Sequence, residues 1–150
     1  MVELEGVVGY VAGLVRARAA DAGVRIDVRW EPGLAAEIDE YQIHRALLNL
    51  VTNALDATPS GGMIVVGAKH IADDQVEFFV ENSGPAIPTQ DVGRIFEPFF
   101  TSRDRGTGLG LPIALSIARG HGGDLRLSEN VEGRVRFAMN IPPLDRGSHV

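Results

Sequence analysis

The sequence predicts an α/β protein of the α+β type, a two-layer sandwich in which about three helices cover one face of a mixed, largely antiparallel sheet. Segments typical of strands come mainly in pairs around short turns, whereas segments with an apolar residue every three or four positions come singly. Single helices between strand pairs pack as one layer on a sheet. The chain has 150 residues, 45% of them hydrophobic, which suits one domain with one core.

The first third of the chain predicts a helix, a strand and a short second strand. Residues 3–20 carry an apolar stripe with helical spacing, and residues 24–30 alternate between apolar and polar side chains. A turn at 31–33 follows, and residues 35–38 predict the short strand. The helical stripe consists of Leu4, Val7, Val11, Leu14 and Val15.

The middle of the chain predicts a second helix and a pair of strands. Asp39 is a suitable N-cap for a helix over residues 40–57, which carry a second apolar stripe. Residues 63–70 and 75–82 predict two strands around a short turn. Residues 83–107 lack periodicity and are rich in Gly, Pro and charge. Connections of this length are uncommon and are usually functional lids or disordered segments.

The last third predicts a third helix and a final pair of strands. The helix begins at Leu109 and ends at a Gly-His-Gly-Gly sequence, which is a strong C-terminal signal. Residues 124–128 and 134–141 alternate as strands do. We therefore expect one domain over residues 1–141 and a frayed C-terminal tail over residues 142–150.

Composition and charge limit the classes of function. The formal net charge of −6 argues against non-specific nucleic-acid binding, and the absence of cysteine removes disulfides and thiolate metal sites. No apolar run reaches the ~20 residues of a membrane span, and the acidic N-terminus is unlike a secretory signal. We therefore expect a cytoplasmic domain, cut from a longer protein, that contacts neither nucleic acid nor membrane.

The other motifs are placed relative to one central stretch over residues 97–110, EPFFTSRDRGTGLG. Glycines before a helix let backbone N–H groups approach an anion, whose charge the helix dipole favours. Arg103 and Arg105 add counter-charge. The stretch predicts a phosphate-binding lid with glycine hinges, although glycine before a helix is common and indicates little alone.

Two asparagines lie on one face of the second predicted helix. Asn49 and Asn53 are four residues apart, and Asp56 lies on roughly the same face. A solvated helix face explains these residues about as well as a pocket does. In a pocket, the amide oxygen of Asn53 would be a hard ligand for Mg²⁺ carried by phosphates.

A polar turn follows the second strand of the middle pair. Asn82 ends that strand and Gly84-Pro85 turns the chain, so Asn82 can recognise a ring system between sheet and helix. The same sequence is also an ordinary turn. No spacing of His, Asp and Glu residues suggests a zinc site.

Together these motifs closely resemble the catalytic and ATP-binding domain of sensor histidine kinases. They are Asn-xxx-Asn-Ala, Asn-x-Gly-x-x-Ile, Phe-Glu-Pro-Phe-Phe and Gly-Thr-Gly-Leu-Gly-Leu, in the order and spacing of that family. The family belongs to the GHKL ATPases, with the Bergerat fold, which include type II topoisomerases and mismatch-repair ATPases. The resemblance covers about residues 3–141, and the string NALDATPSGG looks most like the nitrogen-regulation subgroup.

The resemblance implies a role for each matching residue. Asn53 would bind Mg²⁺, Asn49 would lie close to the phosphates of ATP, and both would be catalytic. Asn82 stands where the family usually has an Asp that contacts the adenine amino group. Gly84 and Ile87 would shape the adenine pocket. The lid anchors would be Phe96, Phe99 and Phe100, and the other implied ATP-binding residues are Asp56, Ala86, Thr101, Ser102, Arg103, Arg105, Gly106, Thr107, Gly108, Leu109, Gly110 and Leu111.

Three residues depart from the pattern of the family. Asn82 replaces the Asp, Ala86 replaces a glycine, and Asp56 stands near the place of a basic residue. An amide can accept a hydrogen bond through its oxygen or, flipped, donate one through its nitrogen. Asn82 therefore predicts weaker ATP binding and poorer rejection of GTP than an Asp would give.

The resemblance implies that the domain binds Mg-ATP and donates the γ-phosphoryl group to a histidine on a separate helical-hairpin dimerisation domain, with a response regulator downstream. Such a domain can be the cytosolic part of a membrane-bound sensor. No histidine of this chain lies in the phosphoacceptor context, and Asn49 stands where hydrolytic relatives carry a carboxylate base. Two alternatives remain: a degenerate module with weak or no ATP binding that acts through protein contacts, and a serine kinase that acts on an anti-sigma antagonist.

Overall fold

The computed structural model describes residues 1–100 and 108–143, which contain four helices and seven strands. The helices are α1 (Leu4–Asp21), α2 (Glu40–Ala57), α3 (Thr89–Val92) and α4 (Gly110–Gly120). The strands are β1 (Val2–Glu3), β2 (Arg25–Trp30), β3 (Ala35–Ala36), β4 (Met63–His70), β5 (Val76–Asn82), β6 (Asp124–Val131) and β7 (Arg134–Ile141).

The main sheet has five strands in the order β2-β4-β5-β7-β6. β2 pairs with β4 in parallel and the other three pairs are antiparallel, which confirms the mixed, largely antiparallel sheet. A parallel pair requires a crossover, and α2 provides it between β2 and β4. β1 and β3 form a separate two-stranded ladder at the entry to α1.

The core lies between the helices and one face of the sheet. Alternate residues of the central strands point toward the helices, where Ile64, Phe78 and Met139 are fully buried. Leu47 and Leu50 of α2 belong to the same buried cluster. Burial of a large apolar side chain stabilises a fold by roughly 1.5–3 kcal/mol, so this cluster holds the two layers together.

The opposite face of the sheet is covered largely by its own long side chains. Glu77 is buried on this face because Lys69, Arg126 and Arg136 surround its carboxylate at distances of 3.5, 3.5 and 3.2 Å. The Arg136 guanidinium also lies over the Phe79 ring, 4.1 Å from its centroid. Charged side chains of opposite sign therefore shield the apolar residues of this face from water.

Most element boundaries follow the sequence prediction. α2, β4 and β7 begin and end at the predicted residues, and the Asp39 side chain caps α2 by accepting from the Gln42 N–H at 3.2 Å. β3 is shorter than predicted. β6 is longer, because its ladder with β7 continues past an irregularity between Leu127 and Glu129. Leu14 is half-exposed, so its predicted place in the buried stripe of α1 is wrong.

Two elements have no counterpart in the prediction. β1 has two residues and α3 has four, lengths at which neither a strand nor a helix leaves a periodic pattern. β1 forms because it finds a partner in β3, which only the tertiary structure supplies. Most of the expected tail lies beyond residue 143, outside the described residues. Across residues 1–100 and 108–143, no helix combines the length and apolarity needed to cross a membrane.

Candidate functional site

The end of β5 meets the end of α2 in a buried polar corner. Asn82, the last residue of β5, is 5% exposed, so its amide needs partners inside the protein. In the orientation that satisfies both amide atoms, Nδ2 donates to the Val135 carbonyl at 3.3 Å, and Oδ1 accepts from the Gly84 N–H and the Thr58 hydroxyl, each at 3.1 Å. In the reverse orientation the amide NH₂ group faces only other donors and the amide oxygen faces only other acceptors. The fold therefore presents the Asn82 oxygen as an acceptor.

The Thr58 hydroxyl leaves part of that acceptor capacity available. Thr58 Oγ1 lies 2.7 Å from the Ala54 carbonyl oxygen and 3.1 Å from Asn82 Oδ1. A hydroxyl carries one hydrogen, so it donates to one of these acceptors at a time, and the shorter distance favours Ala54. When Thr58 donates to Ala54, Asn82 Oδ1 accepts a hydrogen bond from the Gly84 N–H alone.

Gly84 lies too close to α2 for a larger residue. A Cβ atom at this position would be 2.4 Å from the Ala57 carbonyl oxygen, a separation that real side chains do not adopt. This contact holds the loop after β5 against the C-terminal end of α2. The motif pointed to Gly84, and the structure supplies the physical reason that the position requires glycine.

The end of β6 and the turn that follows it clamp the same loop. Asn130 accepts from the Ile87 N–H at 2.8 Å and donates to the Ile87 carbonyl at 2.9 Å. Glu132 accepts from the Ala86 N–H at 3.2 Å. Sequence reasoning missed Asn130 and Glu132, as it missed Thr58, because contacts between residues 43 positions apart leave no local pattern.

The asparagine face of α2 lies beside the start of α4. A Cβ atom on Gly110 would lie 3.8 Å from both Cβ and Oδ1 of Asn49. Asn49 and Asn53 are both partly buried, one helical turn apart. Asn49 is therefore not part of a fully solvated helix face. The structure brings the asparagine helix and the glycine run together.

A backbone contact joins the two ends of the segment between Phe100 and α4. The Phe99 N–H donates to the Gly108 carbonyl at 2.9 Å. A Cβ atom on Gly108 would lie 2.5 Å from Phe99 Cα, and the φ angle of Gly108 is +75°, so space and conformation both require glycine. Phe99 itself has a φ angle of +66°, which is uncommon for a bulky residue.

The three phenylalanines that we expected as lid anchors differ in their surroundings. Phe96 packs edge-on against Phe137 at the border of the core, with ring centroids 6.1 Å apart. Phe100 is partly buried beneath the Arg94 guanidinium, which lies 4.5 Å from its ring centroid. Phe99 is 74% exposed, so its ring packs little against the described residues, and its role as a lid anchor stays a prediction. Its backbone makes the contact that joins the two ends of the segment.

Asp56 pairs with α1. Its carboxylate lies 3.7 Å from the Arg18 guanidinium, and both side chains are well exposed. A surface pair of this kind contributes little to stability, but the cation offsets the charge of Asp56. The expected position of Asp56 near the phosphates stays a prediction.

Part of the predicted phosphate site lies outside the described residues, and its phosphate contacts stay predictions. That part consists of Thr101, Ser102, Arg103, Arg105, Gly106 and Thr107. Within the described part, Gly108 and Leu109 lead into α4, and Gly110 and Leu111 are its first two residues. The N-terminal turn of a helix attracts anions through its N–H groups and its dipole, which suits this end of α4 to a phosphate.

The donor atoms near α2 suit magnesium that arrives with phosphates. Among residues 1–100 and 108–143 there is no group of three or more His, Cys, Asp or Glu side chains that could hold a metal ion. Mg²⁺ needs few protein ligands when phosphates and water supply the others. The side-chain amides of Asn49 and Asn53 carry hard oxygen ligands on one side of α2, so these residues fit that ion.

A groove of about 450 Å³ lies at the other end of the contact between α2 and α4. His121, the C-cap of α4, joins the helices there: its Nε2 accepts from the Asp39 N–H at 3.1 Å, and its Nδ1 donates to the Ile117 carbonyl at 2.9 Å. None of the described residues predicted for nucleotide binding lines this groove. Its lining is Asp39, Gln42, Arg45, Ile113, Ser116, Ile117, Gly120 and His121.

The fold and the site together define a catalytic domain of the nucleotide-dependent, two-layer α+β class. A buried acceptor ends a central strand, an asparagine helix lies beside it, and a glycine run opens the next helix. The chain belongs to the histidine kinase-, DNA gyrase B-, and HSP90-like ATPase family, whose model matches residues 38–145.

The relatives of this chain are sensor kinases. Sporulation kinase A of Bacillus subtilis is 30% identical over 142 residues, which are 93% of this chain and 23% of that protein. Nitrogen regulation protein NtrY of Azorhizobium caulinodans is 34% identical over 124 residues, 78% of this chain and 16% of that protein. NtrY is one of several kinases with comparable similarity, so no subgroup is singled out. The chain spans about a quarter of the length of the first curated relatives it matches.

Solved structures with the same fold are histidine kinase catalytic regions. The nucleotide-free catalytic domain of histidine kinase ThkA superposes with a TM-score of 0.85 at 34% identity, covering 94% of this chain and 93% of that one. ThkA is also known in complex with response regulator protein TrrA. Full-length ShkA in complex with AMPPNP gives a TM-score of 0.85 at 30% identity, covering 94% of this chain and 30% of ShkA. The chain is thus a histidine kinase catalytic domain with the GHKL fold.

Proposed function

We propose that this domain binds Mg-ATP and donates the γ-phosphoryl group to a histidine on a separate helical-hairpin dimerisation domain of the same kinase. The observation that carries the proposal is the convergence of Asn82, Asn49 and Gly110 around α2, from three separate parts of the chain. The ATPase family supports ATP as the nucleotide, and so does the complex of ShkA with AMPPNP, an ATP analogue.

The Asn82 corner favours adenine over guanine. The exocyclic amino group of adenine donates hydrogen bonds, and Asn82 Oδ1 is an acceptor while Nδ2 donates to Val135. Guanine carries a carbonyl at the equivalent place, which would face the same oxygen. To pair with it, the amide would have to flip and lose its bonds with Gly84 and Val135. The poorer rejection of GTP expected from an amide that flips freely is therefore not expected in this fold.

The residues near the phosphates favour transfer to another domain over hydrolysis. Asn49 is an amide and therefore a poor general base for activating water. Magnesium held by Asn53 and the phosphates would neutralise charge on the transferred group. The domain then contributes by holding the γ-phosphoryl group in line with the attacking imidazole nitrogen of the second domain, while ADP leaves. The complex of ThkA with TrrA supports a response regulator as the downstream partner.

The first test compares Mg-ATP binding by calorimetry for the wild type and Asn53→Ala. Removal of an outer-shell partner of a metal site typically lowers metal affinity or activity by roughly 10–100-fold. We expect Asn53→Ala to lower the affinity for Mg-ATP by at least that factor and to leave the melting temperature nearly unchanged. Gln42→Ala is the matched control, because Gln42 is an amide residue on the same helix at the far end of α2. Equal affinity of Asn53→Ala and wild type would refute the metal assignment.

The second test measures phosphoryl transfer with radiolabelled ATP. The domain alone should remain unlabelled, and acid-labile label should appear on the helical hairpin of its own kinase when the two are mixed. Label on the isolated domain would contradict the proposal. Weak or absent ATP binding together with an unlabelled hairpin would favour the alternative of a module that acts through protein contacts.

A further inference from the structure

The outward face of α1 is apolar where a surface helix is normally charged. Tyr10 is 54% exposed and Leu14 is 52% exposed. Gly6, Gly9 and Gly13 lie on the same outward side, and a Cβ atom on any of them would meet nothing within 4 Å. Glycine is a poor helix former, so three of them in one helix call for a reason, and contacts among residues 1–100 and 108–143 do not supply it.

Helical periodicity divides this face into a centre and two flanks. Gly6, Gly9, Gly13 and Ala17 lie along the centre. Tyr10 and Leu14 lie on the flank next to α2, where the Tyr10 ring contacts His44 of α2 at a centroid distance of 4.5 Å. Glu5 and Arg16 lie on the flank away from α2, and both are exposed.

We propose that α1 is the contact surface for a second copy of this chain, with the two α1 helices packed antiparallel about a two-fold axis. An axis that crosses the helices near Val11 places Gly9 opposite Gly13 of the second copy, and Gly6 opposite its Ala17. Small residues at these positions allow the two backbones to approach closely. Because the arrangement is isologous, each contact occurs twice.

Both flanks complement themselves in the same arrangement. A two-fold axis of this kind keeps each flank on its own side, so Tyr10 meets Leu14 of the second copy next to α2. On the other flank, Glu5 meets Arg16 of the second copy. Acidic residues at the start of α1 and arginines toward its end therefore attract one another. A parallel two-fold pair would instead set the Glu5 and Arg16 flank of each copy against the Tyr10 and Leu14 flank of the other, so these charges would lie against apolar side chains, which is why the proposal commits to the antiparallel pair.

The pair leaves the nucleotide site accessible. α1 packs on β2 and β4 at one edge of the sheet, whereas α4 packs on β6 and β7 at the other. A single helix pair buries less than the ~1,200 Å² of most stable interfaces, so we expect a weak dimer that depends on concentration. If two copies of this domain were each joined to one subunit of a dimeric partner domain, their effective concentration would rise to the millimolar range. The α1 contact would then form more readily.

Sedimentation equilibrium of the purified chain between micromolar and millimolar concentrations tests the proposal. The wild type should show a reversible monomer–dimer equilibrium. Glu5→Arg and Arg16→Glu should each weaken it at least tenfold, because each variant places like charges in both flanking contacts. Arg45→Glu, a charge reversal on α2, should leave the equilibrium unchanged. A wild type that stays monomeric at millimolar concentration would overturn the proposal.

Charge exchange tests the orientation of the helices. An equimolar mixture of Glu5→Arg and Arg16→Glu should form a heterodimer, since one of the two contacts keeps its wild-type charges and the other again joins opposite charges, with the signs exchanged. The double variant Glu5→Arg/Arg16→Glu should regain the homodimer. A mixture that remains monomeric, or a double variant that does not recover, would overturn the antiparallel arrangement.

Glycine replacement separates association from folding. Alanine is a better helix former than glycine, so Gly9→Ala and Gly13→Ala should raise the melting temperature of the dilute monomer by a few degrees. The same variants should weaken dimerisation at least tenfold, because the added methyl groups separate the helices. Gly120→Ala, in α4, also has nothing within 4 Å of its Cβ and should leave dimerisation unchanged. Unaltered dimerisation by Gly9→Ala and Gly13→Ala would overturn the close helix contact, and Mg-ATP affinity should not change in any of these variants.

Discussion

The buried polar corner at Asn82 and the backbone contact between Phe99 and Gly108, here called the segment base, both hold the backbone in place by hydrogen bonds. The first lies inside the protein and the second lies at its surface. At this corner, Asn82 is buried and its amide bonds to Val135 of β7, to Gly84 in the loop after β5, and to Thr58 at the end of α2. At the segment base, one backbone hydrogen bond joins Phe99 to Gly108, and the Phe99 ring is exposed. The corner is therefore part of the folding core, whereas the segment base contributes little to folding.

The two contacts differ in how much of the fold depends on each of them. Buried hydrogen bonds exist before any ligand arrives, so the corner presents its acceptor without reorganisation. A contact that consists of one backbone hydrogen bond, as between Phe99 and Gly108, can break without unfolding the sheet. A substitution at the corner should therefore change the stability of the whole domain, and one at the segment base should change mainly nucleotide affinity.

The largest effect on stability is expected for Gly84→Ala. The new Cβ would lie 2.4 Å from the Ala57 carbonyl oxygen, so either the loop or the end of α2 must move. We expect the free energy of unfolding to fall by roughly 1–3 kcal/mol, the usual cost of overpacking, and Mg-ATP affinity to fall with it. Urea denaturation followed by circular dichroism measures the first quantity. A stability equal to that of the wild type would show that the corner is not rigid.

A somewhat smaller effect is expected for Asn82→Asp. The carboxylate keeps the acceptor toward Gly84 but loses the donor to Val135, and it brings a charged oxygen against the Val135 carbonyl. Loss of a buried bond with an unsatisfied partner costs roughly 1–3 kcal/mol at neutral pH. Repulsion raises the pKa of the introduced carboxyl above its unfolded value, so the destabilisation is present above that pKa and is relieved as pH falls through it. Thermal unfolding of variant and wild type at pH 7 and pH 5 measures the difference, and a variant as stable as the wild type at pH 7 would contradict the role of Val135.

The smallest effect on stability, with a clear effect on binding, is expected for Gly108→Ala. Alanine at a φ angle of +75°, close to Phe99 Cα, is strained, but the segment base can open without disturbing the core. We expect the free energy of unfolding to change by less than about 1 kcal/mol and Mg-ATP affinity to fall at least tenfold. Calorimetry and thermal melting of the same sample separate the two. A large loss of stability would show that the segment base belongs to the folding core after all.

The sequence by itself determined the helices and strands whose signals are local. The apolar spacing over residues 40–57 and the capping residue Asp39 define α2, because helical periodicity and an N-cap are both properties of neighbouring residues. The alternation of residues 134–141 defines β7 in the same way. The motifs around Asn49, Asn82 and Gly108 named the candidate site residues, and the resemblance of these motifs assigned their roles.

Only the tertiary structure decided how those residues are held. The orientation of the Asn82 amide depends on the Val135 carbonyl of a neighbouring strand, and the clamp of Asn130 on Ile87 joins residues 43 positions apart. No local pattern encodes such contacts, since they exist only after the strands pair. The exposed ring of Phe99 has the same origin. An apolar residue in a run of apolar residues predicts burial, but the left-handed backbone at Phe99 turns its side chain outward while its N–H bonds to Gly108.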